Sequence, residues 1–256
     1  MVAHLALGFV AGLFIATLTA PVGVSGAVFL LPVQLTVLGV PNPAVTPTNL
    51  LYNVIAGPGA LLRYRRSGHL HGPLARLLIA GTVPGVIAGA VIRVFLLPGP
   101  RTFRLVAGLV LLGLGAWLIR RTLAPREGRP LSSETTWGLA LAVGVVGGIY
   151  GIGGGSILSP LLVGSGMTVA VVAPAALAST FVTSIIGAIT FTVLAAFTPG
   201  SIAPDWPIAV ACGVGGLLGG YLGARLQPVV PERALRLLLG GLAVAVGALY
   251  LVQAGV

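Results

Sequence analysis

The sequence predicts an all-α polytopic membrane protein, built from two inverted repeats of about five apolar segments each, with glycine-broken or re-entrant helices. Three observations support this. Of the 256 residues, 57% are hydrophobic and only 7% are charged, which is too little polar surface to cover a soluble domain. Apolar segments recur along the whole chain, and motifs of the first half return about 130 residues later in the second half.

The apolar segments number ten, five in each half. They cover residues 4–20, 24–39, 44–62, 73–96, 102–119, 135–150, 155–166, 169–196, 205–224 and 233–252. A straight membrane-spanning helix needs roughly 20 apolar residues, and segments 24–39 and 155–166 are shorter than that. Each of these two is predicted to be a half-helix, or a re-entrant hairpin with the segment before it. Both alternatives stay open.

The internal repeat is clearest in two glycine-rich stretches, which contain Gly23, Gly26, Leu30 and Pro32 and, 128 positions later, Gly151, Gly154, Leu158 and Pro160. Glycine weakens a helix by roughly 1 kcal/mol relative to alanine and adopts positive φ readily. Each stretch therefore predicts a break in a helix, followed by the start of a new one. The free N–H groups at such a start favour an anion.

Loop charges predict how the halves are oriented. Loops 63–76 and 225–236 and the stretch 120–134 are rich in arginine, which predicts that they are cytoplasmic. Loop 197–207 has no arginine and is predicted to lie outside. It is the repeat partner of loop 63–76, so the repeats are predicted to be inverted, with both termini outside. Loop 93–104 contradicts this scheme, because it has three arginines on the predicted outer side.

The predicted organisation is a first transmembrane repeat (1–119), a basic cytoplasmic linker (120–134) and a second transmembrane repeat (135–256), in the cell membrane. The formal charge of +10 is interpreted as membrane topology and not as nucleic-acid binding, because every cation is an arginine in a short loop or at a helix end. The lipid bilayer is the expected surrounding, and the oligomeric state stays open.

Reactive side chains are scarce at membrane depth. The four acidic residues lie in loops or at segment ends: Glu127, Glu134, Asp205 and Glu232. The single Cys212 and three histidines form no metal-binding spacing, and no catalytic triad or phosphate loop is present. The sequence therefore predicts no enzyme, no metal and no cofactor. It also argues against a proton or sodium relay through carboxylates within the spans.

Neutral polar side chains follow the glycine break in each half. Asn49 and Asn53 are four residues apart and so share a helix face, and their counterparts are Ser179, Thr180, Thr183 and Ser184. Together with the two breaks they predict a central site that takes a small anion through N–H and O–H donors. The predicted substrate-binding residues are Ser25, Gly26, Asn49, Asn53, Gly153, Gly154, Gly155, Ser156, Ser179 and Thr183. The alternative, that they are hydrogen-bonding contacts between helices, stays open.

Four stretches give the chain a resemblance to a known family: residues 151–160, 178–184, 213–225 and 231–241. They resemble the TauE/SafE family of membrane permeases, the sulfite and organosulfonate exporters, and weaker copies occur at residues 23–32 and 46–53. In the first half Ser25 and Ala27 replace Gly153 and Gly155 of the second half, a departure from the glycine-rich pattern.

The resemblance implies a transporter that exports a small anion, such as sulfite or an organosulfonate, by alternating access between the repeats. A membrane potential that is negative inside drives an anion outward with about 2.3 kcal/mol per charge per 100 mV. The alternatives are an anion channel on the same scaffold and a membrane subunit that transports nothing itself.

Overall fold

The computed structural model describes residues 2–42, 44–65, 70, 72–96, 100–124, 131–197 and 202–255. In this part of the chain the secondary structure is helical, without β-strands. The helices are α1 (Val2–Thr19), α2 (Ala27–Thr36), α3 (Val45–Tyr64), α4 (Pro73–Phe95), α5 (Pro100–Leu123), α6 (Ser133–Tyr150), α7 (Gly155–Gly164), α8 (Val169–Phe197), α9 (Trp206–Leu226) and α10 (Glu232–Ala254), with a short 3-10 helix at Ala20–Val22 after α1.

Each predicted apolar segment coincides with one α-helix, and the ends agree within four residues. Four stretches of the described chain are long and apolar enough to cross a membrane: Val2–Val22, Pro73–Phe95, Val169–Phe197 and Trp206–Leu226. The prediction of an all-α membrane protein is confirmed. Helices α2 and α7 have ten residues each, so they measure about 15 Å, half of a hydrocarbon core of about 30 Å.

The helices of the two halves pack against each other in a reciprocal pattern. Helix α1 packs along α9, and α6, which occupies the place of α1 in the second half, packs along α4, which occupies the place of α9. Helix α3 likewise contacts α8 and α9, while α8 contacts α3 and α4, and α5 packs along α10. This exchange of partners is what two homologous halves would produce. The inversion of the repeats stays a prediction.

Glycines allow the closest helix pairs to approach. A Cβ atom placed on Gly219 of α9 would lie 2.1 Å from the carbonyl oxygen of Leu13 in α1. One placed on Gly85 of α4 would lie 2.4 Å from the carbonyl oxygen of Leu141 in α6. Small residues at such contacts let two helix backbones meet in an apolar medium. These glycines therefore allow the close packing of α1 on α9 and of α4 on α6, and a helix break follows α1 and α6.

The arginines assigned to loop 93–104 lie in the helices that flank it. Helix α4 continues to Phe95 and α5 begins at Pro100, so Arg93 and Arg101 lie within helices. Arg93 is fully buried, and the Nε atom of Arg101 donates to the carbonyl oxygen of Ala254 at 3.1 Å. Because both side chains have partners within the protein, they carry less weight as signals of membrane orientation.

Both ends of the predicted linker 120–134 are helical, since α5 extends to Leu123 and α6 begins at Ser133.

Candidate functional site

The two glycine-rich stretches form two similar backbone turns. The first turn comprises residues 20–26, and Gly23 in it has φ 73°. The second turn comprises residues 151–154, and Gly151 ends α6 with φ 69°. In the first turn the Val24 N–H donates to the Thr19 carbonyl at 3.2 Å, and in the second the Ile152 N–H donates to the Gly147 carbonyl at 3.2 Å. Such endings favour glycine because positive φ crowds a Cβ atom.

The two turns lie in direct contact. The backbone N–H of Ser25, in the first turn, donates to the Ser156 hydroxyl at 3.1 Å. The Ser159 hydroxyl donates to the carbonyl oxygen of Val22 at 2.6 Å. Ser156 and Ser159 both belong to α7, which begins directly after the second turn. The start of one half-helix is therefore hydrogen-bonded to the turn that precedes the other.

The asparagines of α3 hold the start of α2. The Asn49 side chain donates through Nδ2 to the carbonyl oxygen of Ala27 at 2.9 Å. The Ser25 hydroxyl donates to Asn53 Oδ1 and accepts from the Ala27 N–H at 3.1 Å. Gly26 lies between them as the N-cap of α2. The structure thus brings together the predicted residues Ser25, Gly26, Asn49 and Asn53, and Ser156 reaches them through Ser25.

The polar residues of α8 have different partners. The Ser179 and Thr82 hydroxyls share a hydrogen bond of 2.9 Å, and Thr82 Cγ2 lies 2.4 Å from the position of a Cβ atom on Gly154. The Thr183 hydroxyl donates to the Ser179 carbonyl at 2.7 Å, within its own helix. Ser179 and Thr183 therefore do not share the hydrogen bonds of Asn49 and Asn53, although the sequence pairs them across the repeat.

The second turn is closely covered by α8. A Cβ atom on Gly153 would lie 2.5 Å from Thr180 Cγ2, and one on Gly155 would lie 1.8 Å from the carbonyl oxygen of Ala176. Gly153 also has φ 69°, which disfavours any other residue there. Three predicted residues, Gly153, Gly154 and Gly155, are thus packing sites against α4 and α8 in this conformation.

A small cavity lies beside the first turn, between α1, α3, α8 and α9. The cavity has a volume of about 30 Å³, which is enough for about two water molecules. Its polar lining comes from Thr19, Ser25, Tyr52, Asn53 and Thr180. Thr180 also covers Gly153 of the second turn. The cavity therefore adjoins both helix breaks.

Three buried polar atoms at this cavity have no hydrogen-bond partner: Thr19 Oγ1, Asn53 Nδ2 and Thr180 Oγ1. Their residues are 1%, 3% and 3% exposed. An unsatisfied buried donor costs about 1–3 kcal/mol, so these atoms indicate that water or a ligand occupies the cavity. All three are able to donate a hydrogen bond, and none carries a charge.

Sequence reasoning missed Thr19 as a site residue and did not select Thr180 from its polar run. Thr19 lies just before the break at Ala20, and this position could have indicated a site residue. A polar residue beside a helix break is next to the space that the break opens. The Asp205 carboxylate has a structural role, because it caps α9 by accepting from the Ile208 N–H at 3.1 Å. No group of three potential metal ligands occurs among the described residues.

The half-helices, the reciprocal helix pairs and the cavity with its unpartnered donors are typical of a helical membrane protein of the transporter class. A family model described as sulfite exporter TauE/SafE matches residues 6–250. The chain therefore belongs to the TauE/SafE family, which consists of membrane exporters of sulfite and related anions, and the resemblance noted in its sequence is confirmed. No curated protein and no solved structure matches the chain.

Proposed function

We propose that the protein exports a small oxyanion, sulfite or an organosulfonate, across the cell membrane by alternating access between its two repeats. The observation that supports this most directly is the set of three unpartnered donors, on Thr19, Asn53 and Thr180, around one buried cavity. An oxyanion has several acceptor oxygens and so is able to satisfy all three donors at once. Neutral donors also hold an anion loosely enough to release it.

The size of the cavity supports a site that changes shape during transport. Space for about two waters is small for an anion with three oxygens, so binding requires the surrounding helices to separate. The lining comes from α1 and α3 of the first half and from α8 and α9 of the second half. A relative movement of the halves would therefore open it. This conformation corresponds to a closed state in the proposed cycle.

The test is sulfite efflux from proteoliposomes, with the membrane potential set by a potassium gradient and valinomycin. Thr180→Val and Thr183→Val form a matched pair, because each removes one buried hydroxyl of α8 with little change of shape. Thr180 lines the cavity and its Oγ1 has no hydrogen-bond partner, whereas Thr183 Oγ1 is bonded to its own helix. A lost hydrogen bond to a charged ligand is worth about 1.5–3 kcal/mol, so Thr180→Val should raise the half-saturating sulfite concentration roughly tenfold to a hundredfold.

Thr183→Val should leave sulfite affinity close to that of the wild type. Equal effects of the two substitutions, or none, would contradict the proposed site. Efflux that saturates with sulfite supports a transporter, whereas ohmic currents through single molecules would indicate a channel. If the wild type moves no sulfite, organosulfonates and carboxylates are the next substrates, and failure of all of them would contradict the function.

A further inference from the structure

A charged side chain lies in the protein interior beside the second turn. Arg93 is 0% exposed and is the only charged residue among the buried residues that the structure describes. It belongs to the last turn of α4. The guanidinium of arginine keeps its positive charge in proteins. Burying such a charge in a membrane protein is costly, and ionisable residues there usually mark the route of an ion.

The contacts of Arg93 connect it to the second turn. Its Nε atom donates to Thr46 Oγ1 at 3.4 Å, and a terminal nitrogen donates to Asn42 Oδ1. The Thr46 hydroxyl in turn donates to the carbonyl oxygen of Ile149 at 3.2 Å, two residues before Gly151. The carbonyl oxygen of Thr46 lies 2.3 Å from the position of a Cβ atom on Gly151. One residue, Thr46, thus lies between the buried charge and the backbone of the turn.

Anchoring at the membrane surface does not explain this placement. A cation in the last turn of a helix is stabilised by the carbonyl groups there, and a long side chain near a helix end normally extends its charged group to the interface. Neither role requires the charged group to be covered by protein. Arg101, close by in the sequence, is exposed, and its Nε atom donates to the Ala254 carbonyl in the last turn of α10. This is the usual contact of a cation with the end of a helix.

We propose that Arg93 is a specificity-determining residue for the transported anion, supplying from within the protein the positive charge that the uncharged donors of the cavity lack. This inference rests on the proposed function. A buried charge is screened less by salt than an exposed one, and its attraction for an anion increases with the number of negative charges on that anion. Arg93 therefore favours a doubly charged oxyanion over a singly charged one of similar size.

The test compares sulfite, measured above neutral pH where it is mainly a dianion, with methanesulfonate, a monoanion. Half-saturating concentrations for efflux are measured in proteoliposomes for the wild type, Arg93→Gln, Asn42→Asp and Arg101→Gln. Asn42→Asp places a carboxylate against the guanidinium without changing the size of the side chain, so it neutralises the charge in place. Arg101→Gln is the matched control, since it removes an exposed arginine near the same end of α4.

Arg93→Gln and Asn42→Asp should each raise the half-saturating concentration of sulfite by roughly tenfold more than that of methanesulfonate. This is the order of magnitude expected when one buried charge acts on one additional negative charge. Arg101→Gln should leave the ratio of the two concentrations unchanged. A purely structural role of Arg93 would weaken both anions equally. If Arg93→Gln does not fold, Asn42→Asp alone decides, and a wild-type ratio in folded Asn42→Asp protein overturns the inference. Wild-type protein that transports neither these two anions nor the other organosulfonates and carboxylates overturns the proposed function and this inference together.

Discussion

The first and second turns have the same backbone ending but different surroundings. Gly23 and Gly151, 128 positions apart, both adopt positive φ. Around the first turn, Gly26 faces the end of the Tyr52 side chain and a cavity. Around the second turn, Gly155 faces the backbone of α8. Equivalent positions in a repeat therefore need not share a role: the first turn adjoins a cavity, and the second is fixed by close packing.

The largest expected effect tests the close packing of the second turn. Gly155→Ala would place a methyl group 1.8 Å from the carbonyl oxygen of Ala176, and neither backbone is able to move without displacing α7 or α8. Overpacking usually costs about 1–3 kcal/mol, and we expect more than about 3 kcal/mol here because the obstacle is backbone. Unfolding of the purified protein in detergent measures this. Gly138→Ala is the control, since nothing lies within 4 Å of that position, and equal stability of the two variants would contradict the comparison.

An intermediate effect is expected at the first turn. Gly26→Ala would place a methyl group 2.3 Å from the Tyr52 hydroxyl, which is the end of a side chain and not backbone. The cost should be about 1–3 kcal/mol. Tyr52→Phe removes the obstructing oxygen, so the double variant should recover at least half of that loss in the same unfolding measurement. Additive losses in the double-mutant cycle would show that the hydroxyl is not the obstacle.

The smallest effect concerns the unpartnered hydroxyl of Thr19. Thr19→Val keeps the shape of the side chain and removes a group without a hydrogen-bond partner, so the free energy of unfolding should change by less than about 0.5 kcal/mol. Ser156→Ala is the comparison, because it removes hydrogen bonds to the Ser25 N–H and the Ile152 carbonyl and should cost about 1–2 kcal/mol. A loss of that size in Thr19→Val would mean that its hydroxyl is bonded within the protein.

Composition and segment length predicted most of the fold. Each of the ten predicted apolar segments corresponds to one α-helix in the described chain. The length and hydrophobicity of a segment decide whether it forms a buried helix, and both are read directly from a single sequence. The short lengths of α2 and α7 were predicted for the same reason. The segment 73–96 already placed Arg93 in a helix, but the burial of its side chain was not predicted, because the loop arginines were interpreted only as signals of membrane orientation. Arg93 continues the helix and is buried by contacts from α3 and the segment before it.

The candidate site was predicted less completely than the fold. Helical spacing indicated that Asn49 and Asn53 share a face, and both do contact residues 25–27. Spacing does not reveal whether a hydroxyl bonds to its own helix, as Thr183 does, or faces a cavity, as Thr180 does. That choice depends on which helices pack nearby, and those helices come from distant parts of the chain.

The hydrogen bonds that join the two turns can form only after the second half of the chain has been made. Ser25 is bonded to Ser156 and Val22 to Ser159, across 131 and 137 residues of chain. When the first half has entered the membrane, α7 and α9 have not yet been made, so α1 lacks its main packing partner and the Ser25 N–H lacks its acceptor. A chain that stops at the linker would therefore lack the packing partner of α1 and the hydrogen bonds that hold the first turn.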